Sequence, residues 1–358
     1  MIKNRTSKVH ILLGQNRLDG LLFLHRPNLR FLCGFSGTEG ALLIGQDETV
    51  FLADSRYIAQ AQREVTADRI DEYRIQLQGI VNQVRAAGWR RIGFEAGTIP
   101  YALVERLREE GGSELEWQPL SNELRTLRCL KDATEIKAME RAAQLAAEAF
   151  DEILPMIRPG AVERDISLAL EFAMKRRGAE EKSFDFIVAS GERGALPHGV
   201  ASQKQINSGE LVTIDFGARW EGYHSDETVT LAVGAVDPEL RKIYDIVLDA
   251  HDQAIAQVRP GVPLSQIDGI ARDHITAHGY GEFFGHGLGH GVGLEVHEFP
   301  PVSSRSQEVA GEDMVITIEP GIYIPGLGGV RIEDMVLVTA GGCRRLTRLD
   351  KEFRLLPG

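Results

Sequence analysis

The stretch ELVTIDFGARWEGYHSDETV, residues 210–229, contains two aspartates within a segment whose pattern predicts a β-hairpin. Apolar and β-branched residues form a run at 211–214, and Gly222 supplies a turn signal. Apolar residues then recur at alternate positions from Val229 to Val233. Two strands joined by a short turn therefore carry both acids, and the rest of the chain is best understood from this hairpin.

The two aspartates are Asp215 and Asp226. With the turn centred between Trp220 and Glu221, they lie opposite each other, because both are equally far from that centre. Facing residues in an antiparallel pair have Cβ atoms about 5 Å apart. Two carboxylates at that separation repel each other unless a shared proton or a bound cation offsets their charge. The hairpin therefore predicts a metal site, and a solvated hairpin with outward-pointing aspartates is the alternative.

Length and composition indicate a globular protein of two ordinary domains, with 358 residues, 43% of them hydrophobic and 26% charged. The net charge of −12 argues against nucleic acid as a partner, because phosphate binding needs a basic face. No apolar segment approaches the ~20 residues of a membrane span. The apolar run before Gly14 is too short for a signal peptide. Three scattered cysteines argue against a disulfide framework and favour the cytoplasm.

Residues 1–125 are predicted to form an α/β domain with a mainly parallel sheet. No cluster of His, Asp and Glu within it indicates a reaction centre. The polar stretch at 111–128 is the predicted linker to a second domain, residues 126–358. In the first domain the strand patterns alternate with helix patterns: strands at 18–24, 41–44, 50–53 and 91–95, helices at 55–64, 75–87 and 101–110.

The second domain is predicted to consist of two related halves. Asp132 and Glu135 form the capping-box pattern of a long helix at its start. Segment 157–178 matches segment 258–279 in constant register, so that residue 157 aligns with residue 258. Each copy contains an Arg-Pro-Gly turn and a helix that ends at glycine. A histidine-containing region and a predicted β-ribbon follow each copy, which indicates an internal repeat.

The predicted ribbon of the second half, residues 314–338, turns at the sequence GLGG. It carries Glu319 and Glu333, which are about equally far from Gly326. Two ribbons from pseudo-symmetric halves, each with two carboxylates, can close around one point. Two unrelated structural ribbons are the alternative, which the shared register of the halves disfavours.

Three histidines lie between the ribbons in GHGLGHGVGLEVHE, residues 285–298: His286, His290 and His297. The glycines of this stretch fit GxGxxG in no frame, so a dinucleotide-binding loop is not indicated. A single histidine here would more often be a core residue than a ligand. Beside four paired acids, the cluster favours metal binding.

The order of these residues resembles that of the pita-bread metallopeptidases, most closely the Xaa-Pro aminopeptidases and Xaa-Pro dipeptidases (prolidases). The resemblance rests on DFG, YHSDET, HGLGHGVGLEVHE, TIEPGIYIP and GGVRIED, and it covers nearly the whole chain. It implies a creatinase-like α/β N-terminal domain followed by an α+β pita-bread catalytic domain. It also implies hydrolysis of peptides with proline at the second position, and a homodimer.

The resemblance further implies a centre of two divalent ions, manganese first, with cobalt, zinc or iron as alternatives. A water acidified by both ions would be the nucleophile, and Glu319 would be the general base. His297 would stabilise the tetrahedral oxyanion, while His198 and His286 would line the cleft. Arg331 would hold the carboxylate of a metal ligand in place without itself contacting the metal. The implied metal ligands are Asp215, Asp226, His290, Glu319 and Glu333.

Some positions depart from the family pattern or are open. The family usually has arginine where this chain has Val229, so any contact of that arginine is in doubt. Arg305 is a candidate for gripping the C-terminal carboxylate of a dipeptide, with a solvated loop residue as the alternative. Phe284 and Tyr323 are candidates for an apolar pocket around the prolyl ring.

Three other functions are compatible with the same catalytic fold: methionine aminopeptidase, metal-free creatinase and a non-catalytic binding protein. The predicted N-terminal domain disfavours the first. Five intact ligand positions disfavour the other two, since creatinase needs no metal and a binding protein would be expected to lose ligands. The sequence leaves the choice between dipeptidase and aminopeptidase open.

Overall fold

The structure is a computed structural model that describes the backbone of residues 2–358 and the side chains from residue 5 onward. The chain divides into two units, one ending at Arg128 and the other spanning Cys129–Gly358. In the described part of the chain, no helix combines the length and the apolar character that crossing a bilayer requires.

The first unit is built on a six-stranded sheet of order β4-β3-β2-β1-β5-β6. Three of its neighbouring pairs, β3 with β4, β1 with β5 and β5 with β6, are parallel, as predicted for a mainly parallel sheet. The strands are β1 (Gly20–Phe23), β2 (Ala41–Gly45), β3 (Thr49–Ala53), β4 (Arg69–Glu72), β5 (Arg91–Glu95) and β6 (Glu116–Leu120). The helices are α1 (Ile2–Asn16), α2 (Arg26–Cys33), α3 (Ile58–Glu64), α4 (Gln76–Ala86) and α5 (Tyr101–Gly111).

The predicted elements of this unit are all present, but α1, α2, β4 and β6 were not predicted. The prediction that the whole stretch 111–128 is a linker is therefore wrong, because β6 lies within it and pairs in parallel with β5. Its polar composition conceals the strand. Only Trp117 and Leu120 are buried, and Pro119 is tolerated because the strand lies at the edge of the sheet.

The second unit consists of two halves, each with a helix pair packed against its own strands. Helices α7 and α9 begin and end in the predicted repeat register, and the turn glycines Gly160 and Gly261 both have φ of 84°. The internal repeat is thus confirmed. The helices are α6 (Ala133–Ile153), α7 (Glu163–Arg176), α8 (Pro238–Ala256) and α9 (Leu264–Ala277).

The strands of the first half are β7 (Glu181–Lys182), β8 (Ile187–Ser190), β9 (Glu210–Phe216), β10 (Ala218–Trp220), β11 (Tyr223–His224) and β12 (Glu227–Val233). Those that follow are β13 (Gly289–Gly291), β14 (Glu298–Val302), β15 (Val315–Ile318), β16 (Gly321–Ile324), β17 (Gly328–Arg331), β18 (Asp334–Thr339), β19 (Gly342–Arg345) and β20 (Leu355–Leu356). They form sheets of order β20-β12-β9-β8 and β14-β13-β15-β18-β19, with smaller ribbons β16-β17 and β11-β10-β7.

Each half has its own apolar core. One cluster joins α6 and α7 to β8, β9 and β12, and a second joins α8 and α9 to β15 and β18. The long helix α6 begins at the predicted capping box. The Asp132 side chain accepts hydrogen bonds from the N–H groups of Thr134 and Glu135, and the Glu135 carboxylate accepts the N–H of Asp132.

We expect Asp132→Ala to lower the free energy of unfolding by about 1 kcal/mol, because two backbone donors at the start of α6 lose their acceptor. The midpoint of thermal unfolding should fall by roughly 2–4 °C. Asp237→Ala is the matched control, since Asp237 caps α8 through one hydrogen bond, to the N–H of Glu239. A loss for Asp237→Ala as large as that for Asp132→Ala would contradict the importance of the reciprocal box.

Candidate metal centre

The first ribbon differs in register from the prediction. Asp215 on β9 pairs with Thr228 on β12, so it does not face Asp226 directly. The turn is centred one residue later than predicted, on Glu221 (φ 47°) and Gly222 (φ 77°). Two residues with positive φ form the tight turn that matches strand twist, but glutamate is an uncommon first residue there. Asp226 is two positions from Thr228, so both aspartates still lie on the same face.

The second ribbon has the predicted register. Ile318 pairs with Asp334 and Gly321 pairs with Arg331, which places Glu319 opposite Glu333 between these pairs. Both acids stand where the ribbon passes from β15 and β18 to β16 and β17.

The two ribbons meet where threonines of the first contact residues of the second. The N–H of Glu333 donates to the Thr228 carbonyl at 3.2 Å, and the Thr228 hydroxyl donates to Glu333 Oε2 at 2.6 Å. The Thr230 hydroxyl donates to the Arg331 carbonyl at 2.8 Å. Val229 lies between these threonines and is 4% exposed in the apolar cluster under α6 and α7. The position where the family usually has arginine therefore faces away from the acids.

Three of the predicted ligands form a compact donor group. One oxygen of Asp226, one ring nitrogen of His290 and one oxygen of Glu333 lie within 4.8 Å of one another. His290 Nε2 is 3.6 Å from Asp226 Oδ2 and 3.5 Å from Glu319 Oε1. The other ring nitrogen, Nδ1, is 3.0 Å from the Gly291 carbonyl, which makes it the N–H donor. This tautomer leaves the lone pair of Nε2 directed at the acids.

Asp215, the remaining predicted ligand, is held by Arg331. Arg331 is 3% exposed, and its Nη2 donates to Asp215 Oδ2 at 2.6 Å. Its other N–H groups donate to the Tyr323 hydroxyl (3.0 Å), the Pro197 carbonyl (3.1 Å) and the Thr228 hydroxyl (3.3 Å). Among the described residues Asp215 Oδ1 has no hydrogen-bond partner although it is buried. A buried acceptor left in this way is available to a cation.

The electrostatics of the four acids favour bound cations. Burial, and then the charges of Glu333, Asp215 and Glu319, raise the pKa of Asp226 well above its ordinary value. The pKa of Glu333 is raised in the same way, by burial and then by Glu319 and Asp215. Burial raises the pKa of Glu319 to about 8, against the opposing charge of Arg331. Four carboxylates and one neutral imidazole are a donor set that fits divalent metal ions.

These groups lie on the wall of a cavity of ≈ 370 Å³. The structure brings together on its surface every histidine predicted for the site and Arg331: His198, His286, His290 and His297 all line it. The apolar part of the wall was missed by sequence analysis, because its residues lie in loops and at strand ends with no periodic signal. It consists of Phe184, Ile187, Pro197, Val200 and Val296.

The predicted apolar pocket residues Phe284 and Tyr323 do not line the cavity, so that prediction is wrong. Both lie behind His286. The Phe284 ring packs edge-on against the imidazole at 5.1 Å, and the Tyr323 hydroxyl is 2.9 Å from His286 Nε2. Arg305 is exposed in a turn and is also absent from the cavity wall.

His286 is a neutral part of the wall with both ring nitrogens engaged. Nδ1 is 2.8 Å from the Gly287 carbonyl, and Nε2 is 2.9 Å from the Tyr323 hydroxyl. Burial lowers the pKa of His286 to about 4, with Arg331 and Arg272 acting in the same direction. Burial also lowers the pKa of His290 to about 4. Both imidazoles are therefore uncharged at neutral pH.

We expect Asp226→Asn to stabilise the protein in chelator at pH 8, by at least about 1 kcal/mol. The folded Asp226 binds a proton over a pH range in which the unfolded residue has lost it. Its contribution to stability therefore decreases as pH rises above the ordinary aspartate range. Asparagine removes that cost, so the advantage should shrink towards pH 5.

Thermal unfolding at both pH values measures the effect, with Asp151→Asn, an exposed acid on α6, as the control. An Asp226→Asn variant no more stable than the wild type at pH 8 would show that the acids do not repel one another in the metal-free protein.

Comparison with known proteins agrees with this geometry. Residues 137–340 match the metallopeptidase family M24, and residues 5–130 match the creatinase/prolidase N-terminal domain. The Xaa-Pro dipeptidase of Pyrococcus horikoshii is 39% identical over 99% of both chains. A solved Xaa-Pro dipeptidase from Bacillus anthracis is 41% identical with a TM-score of 0.97, covering 99% of this chain and 100% of that one. A solved X-Pro aminopeptidase from Thermotoga maritima is 35% identical with a TM-score of 0.89, covering 95% and 98%.

These matches confirm the predicted fold class, a creatinase-like N-terminal domain followed by a pita-bread catalytic domain. The peptidase names of the relatives favour the predicted hydrolase over the creatinase and binding-protein alternatives. The chain therefore belongs to metallopeptidase family M24.

Proposed function

We propose that this metallopeptidase hydrolyses the bond between an N-terminal residue and a following proline. One observation carries the proposal: four carboxylates, two buried and two half-buried, and a neutral imidazole line a cavity whose remaining wall is apolar and histidine-rich. The names of the relatives, Xaa-Pro dipeptidase and X-Pro aminopeptidase, support proline specificity.

The metal ligands in this proposal are the five predicted side chains, Asp215, Asp226, His290, Glu319 and Glu333. Bound divalent ions would lower the pKa of water towards neutrality and polarise the scissile carbonyl. The donor set of oxygen atoms and one nitrogen suits manganese, which we propose as the first metal to test, with cobalt, zinc and iron as alternatives. Arg331 would fix the carboxylate of Asp215 so that its free oxygen points to the site.

Glu319 is the proposed general base. It lines the cavity, its Oε1 accepts a hydrogen bond from the Thr317 hydroxyl at 3.4 Å, and its second carboxylate oxygen can hold a proton. A carboxylate at this position is suited to accept a proton from the attacking water and to release it to the leaving nitrogen. That nitrogen needs the proton because cleavage of the C–N bond would otherwise expel a strongly basic amide anion.

His198 and His297 are the proposed contacts for the substrate carbonyl. Both are exposed where they line the cavity, in contrast to His286, whose ring nitrogens are bonded to the protein. His297 also packs edge-on against His290 at 4.4 Å between ring centroids, close to where the oxyanion would form. The apolar wall around Phe184 and Val200 would receive the prolyl ring.

The relatives' names favour a dipeptidase first and an aminopeptidase second. Among the described residues that line the cavity, Arg331 carries the only guanidinium or ammonium group, and its N–H groups are bonded. A dipeptide's carboxylate would therefore meet an exposed histidine such as His198. The aminopeptidase alternative is supported by the similarity to the X-Pro aminopeptidase of Thermotoga maritima.

We also propose that the protein is a homodimer and works in the cytoplasm. The homodimer is carried over from the family resemblance. The free thiols of Cys33 and Cys343 support a reducing compartment. Light scattering of the purified protein tests the assembly.

Purified protein in manganese should hydrolyse Ala-Pro and leave Ala-Ala largely intact, and a chelator should abolish the activity until metal is returned. Ala-Pro-Ala, supplied in parallel, separates the two subtypes, since faster cleavage of the tripeptide would indicate an aminopeptidase. Activity that survives the chelator, or equal cleavage of Ala-Ala, would contradict the proposal.

Glu319→Gln should lower kcat by roughly 10²- to 10⁴-fold, because the amide cannot accept the proton. Glu312→Gln, an exposed carboxyl seven positions earlier in the sequence, is the matched control and should retain wild-type kcat. Equal activity of the two variants would show that Glu319 is not the base.

A further inference from the structure

Two of the cavity histidines, one from each half, lie in loops. His198 lies in the loop 191–202, between β8 and β9, and His286 lies in the loop 284–288, before β13. Side chains on loops point reliably only when the loop backbone is fixed by contacts from a rigid element. In each half, one buried acid on the second helix supplies side-chain contacts of this kind, in addition to backbone hydrogen bonds.

In the first half the acid is Glu163, the first residue of α7, which is 0% exposed. Its Oε1 accepts the N–H (2.8 Å) and the hydroxyl (2.9 Å) of Ser190. Its Oε2 accepts the N–H (3.1 Å) and the hydroxyl (2.7 Å) of Ser202. Ser190 directly precedes the loop 191–202 and Ser202 is its last residue, so one carboxylate ties both ends of the loop to the helix.

Arg193 extends this anchor into the loop. One of its nitrogens, Nη1, pairs with Glu163, and Nη2 donates to the Val200 carbonyl at 2.8 Å. Residues 193 and 200 lie on either side of His198. The N–H of Val200 in turn donates to the His198 carbonyl at 2.9 Å. The backbone that carries the imidazole is thus held through Arg193 by the same carboxylate.

In the second half the acid is Asp268, in α9, which is 0% exposed. It binds Arg272 through two parallel hydrogen bonds of 2.8 and 2.9 Å. Arg272 donates to the carbonyls of Phe284 (3.0 Å) and His286 (2.8 Å), and the N–H of Leu288 donates to Asp268 Oδ1 at 3.1 Å. Again an acid and an arginine hold both ends of a loop that carries a cavity histidine.

The internal repeat indicates that the fold itself does not require an acid at either position. In the repeat register the counterpart of Glu163 is Leu264, the first residue of α9, which is 0% exposed in an apolar core. The counterpart of Asp268 is Ser167, which is half-buried. The same helix position can therefore be filled without an acid. Burying a carboxylate is costly unless it is fully hydrogen-bonded, and here each acid is placed where the loop of its own half passes.

We propose that Glu163 and Asp268 are positioning residues, each holding one cavity histidine of its own half in place, His198 for Glu163 and His286 for Asp268. The kinetic part of this inference rests on the proposed function, and the structural part does not.

Backbone hydrogen exchange of the full-length, metal-loaded protein tests the structural part without substrate. We expect Glu163→Gln to speed exchange in residues 191–202 by about 10-fold and to leave residues 284–288 unchanged. Asp268→Asn should have the reverse pattern. Faster exchange in both loops with either variant, or in neither loop, would overturn the proposal.

A double-mutant cycle tests the kinetic part. Glu163→Gln should lower kcat/KM for Ala-Pro by roughly 10- to 100-fold, and most of this loss should vanish in a His198→Ala background. The effect should persist in full in a His286→Ala background. Asp268→Asn should couple to His286→Ala in the same way. Fully additive effects, as expected for a general loss of stability, would overturn the kinetic part.

Failure of the proposed function would give a different result, since the wild type would then not hydrolyse Ala-Pro. The hydrogen-exchange pattern would still decide the structural part. If either acid variant does not fold, milder variants take its place. Ser202→Ala removes one hydroxyl contact with Glu163, and Arg272→Lys removes the paired guanidinium contact with Asp268. Each should speed exchange in its own loop alone, and unchanged exchange in both folded variants would overturn the proposal.

Discussion

The mutual repulsion of four carboxylates at one cavity wall is the constraint on which the second unit depends. Asp226 and Glu333 lie where the ribbons of the two halves meet, and burial together with neighbouring charge raises the pKa of both. The guanidinium of Arg331 lies beside the acids and is bonded to Asp215. Other local features follow from the same constraint. The tautomer of His290 and the unpartnered oxygen of Asp215 both leave donor atoms directed at the space between the acids.

Much of this site could be predicted from the sequence, because alternation along a strand is robust to small errors of register. Placing the first turn one residue too early shifted the partner of Asp215 from Thr228 to Asp226. The shift moved the pairing by two positions, so the predicted face remained correct. The Glu319 and Glu333 pair was placed correctly because the glycine turn between them is symmetric.

The features that could not be predicted lack a periodic signal. Strand β6 lies in the predicted linker, since an edge strand with two buried residues has the composition of a loop. The apolar cavity wall comes from residues such as Phe184 and Val200, which sequence alone does not distinguish from core residues. Phe284 and Tyr323 were misplaced for the same reason: both are buried beside His286, but on its far side.

The two halves share a scaffold and differ in what they attach to it. Helices α7 and α9 keep the same bounds in the repeat register, and the turn glycines keep the same conformation. The acids that hold the loops occupy different positions in the two helices, Glu163 in one and Asp268 in the other. The repeat thus provides the rigid elements, and the chemistry of the cavity lies in the ribbons and loops that they position.

Calorimetric titration of the metal-free protein with Mn²⁺ at pH 7, in buffers of different ionisation enthalpy, measures whether the four acids exchange bound protons for divalent ions. Two ions per chain should bind and release protons, because the raised pKa values of the acids mean that metal displaces hydrogen ions. Binding should weaken strongly in Asp226→Asn. The absence of Mn²⁺ binding would contradict this explanation. Binding that releases no protons and is equally strong in Asp226→Asn would contradict it as well.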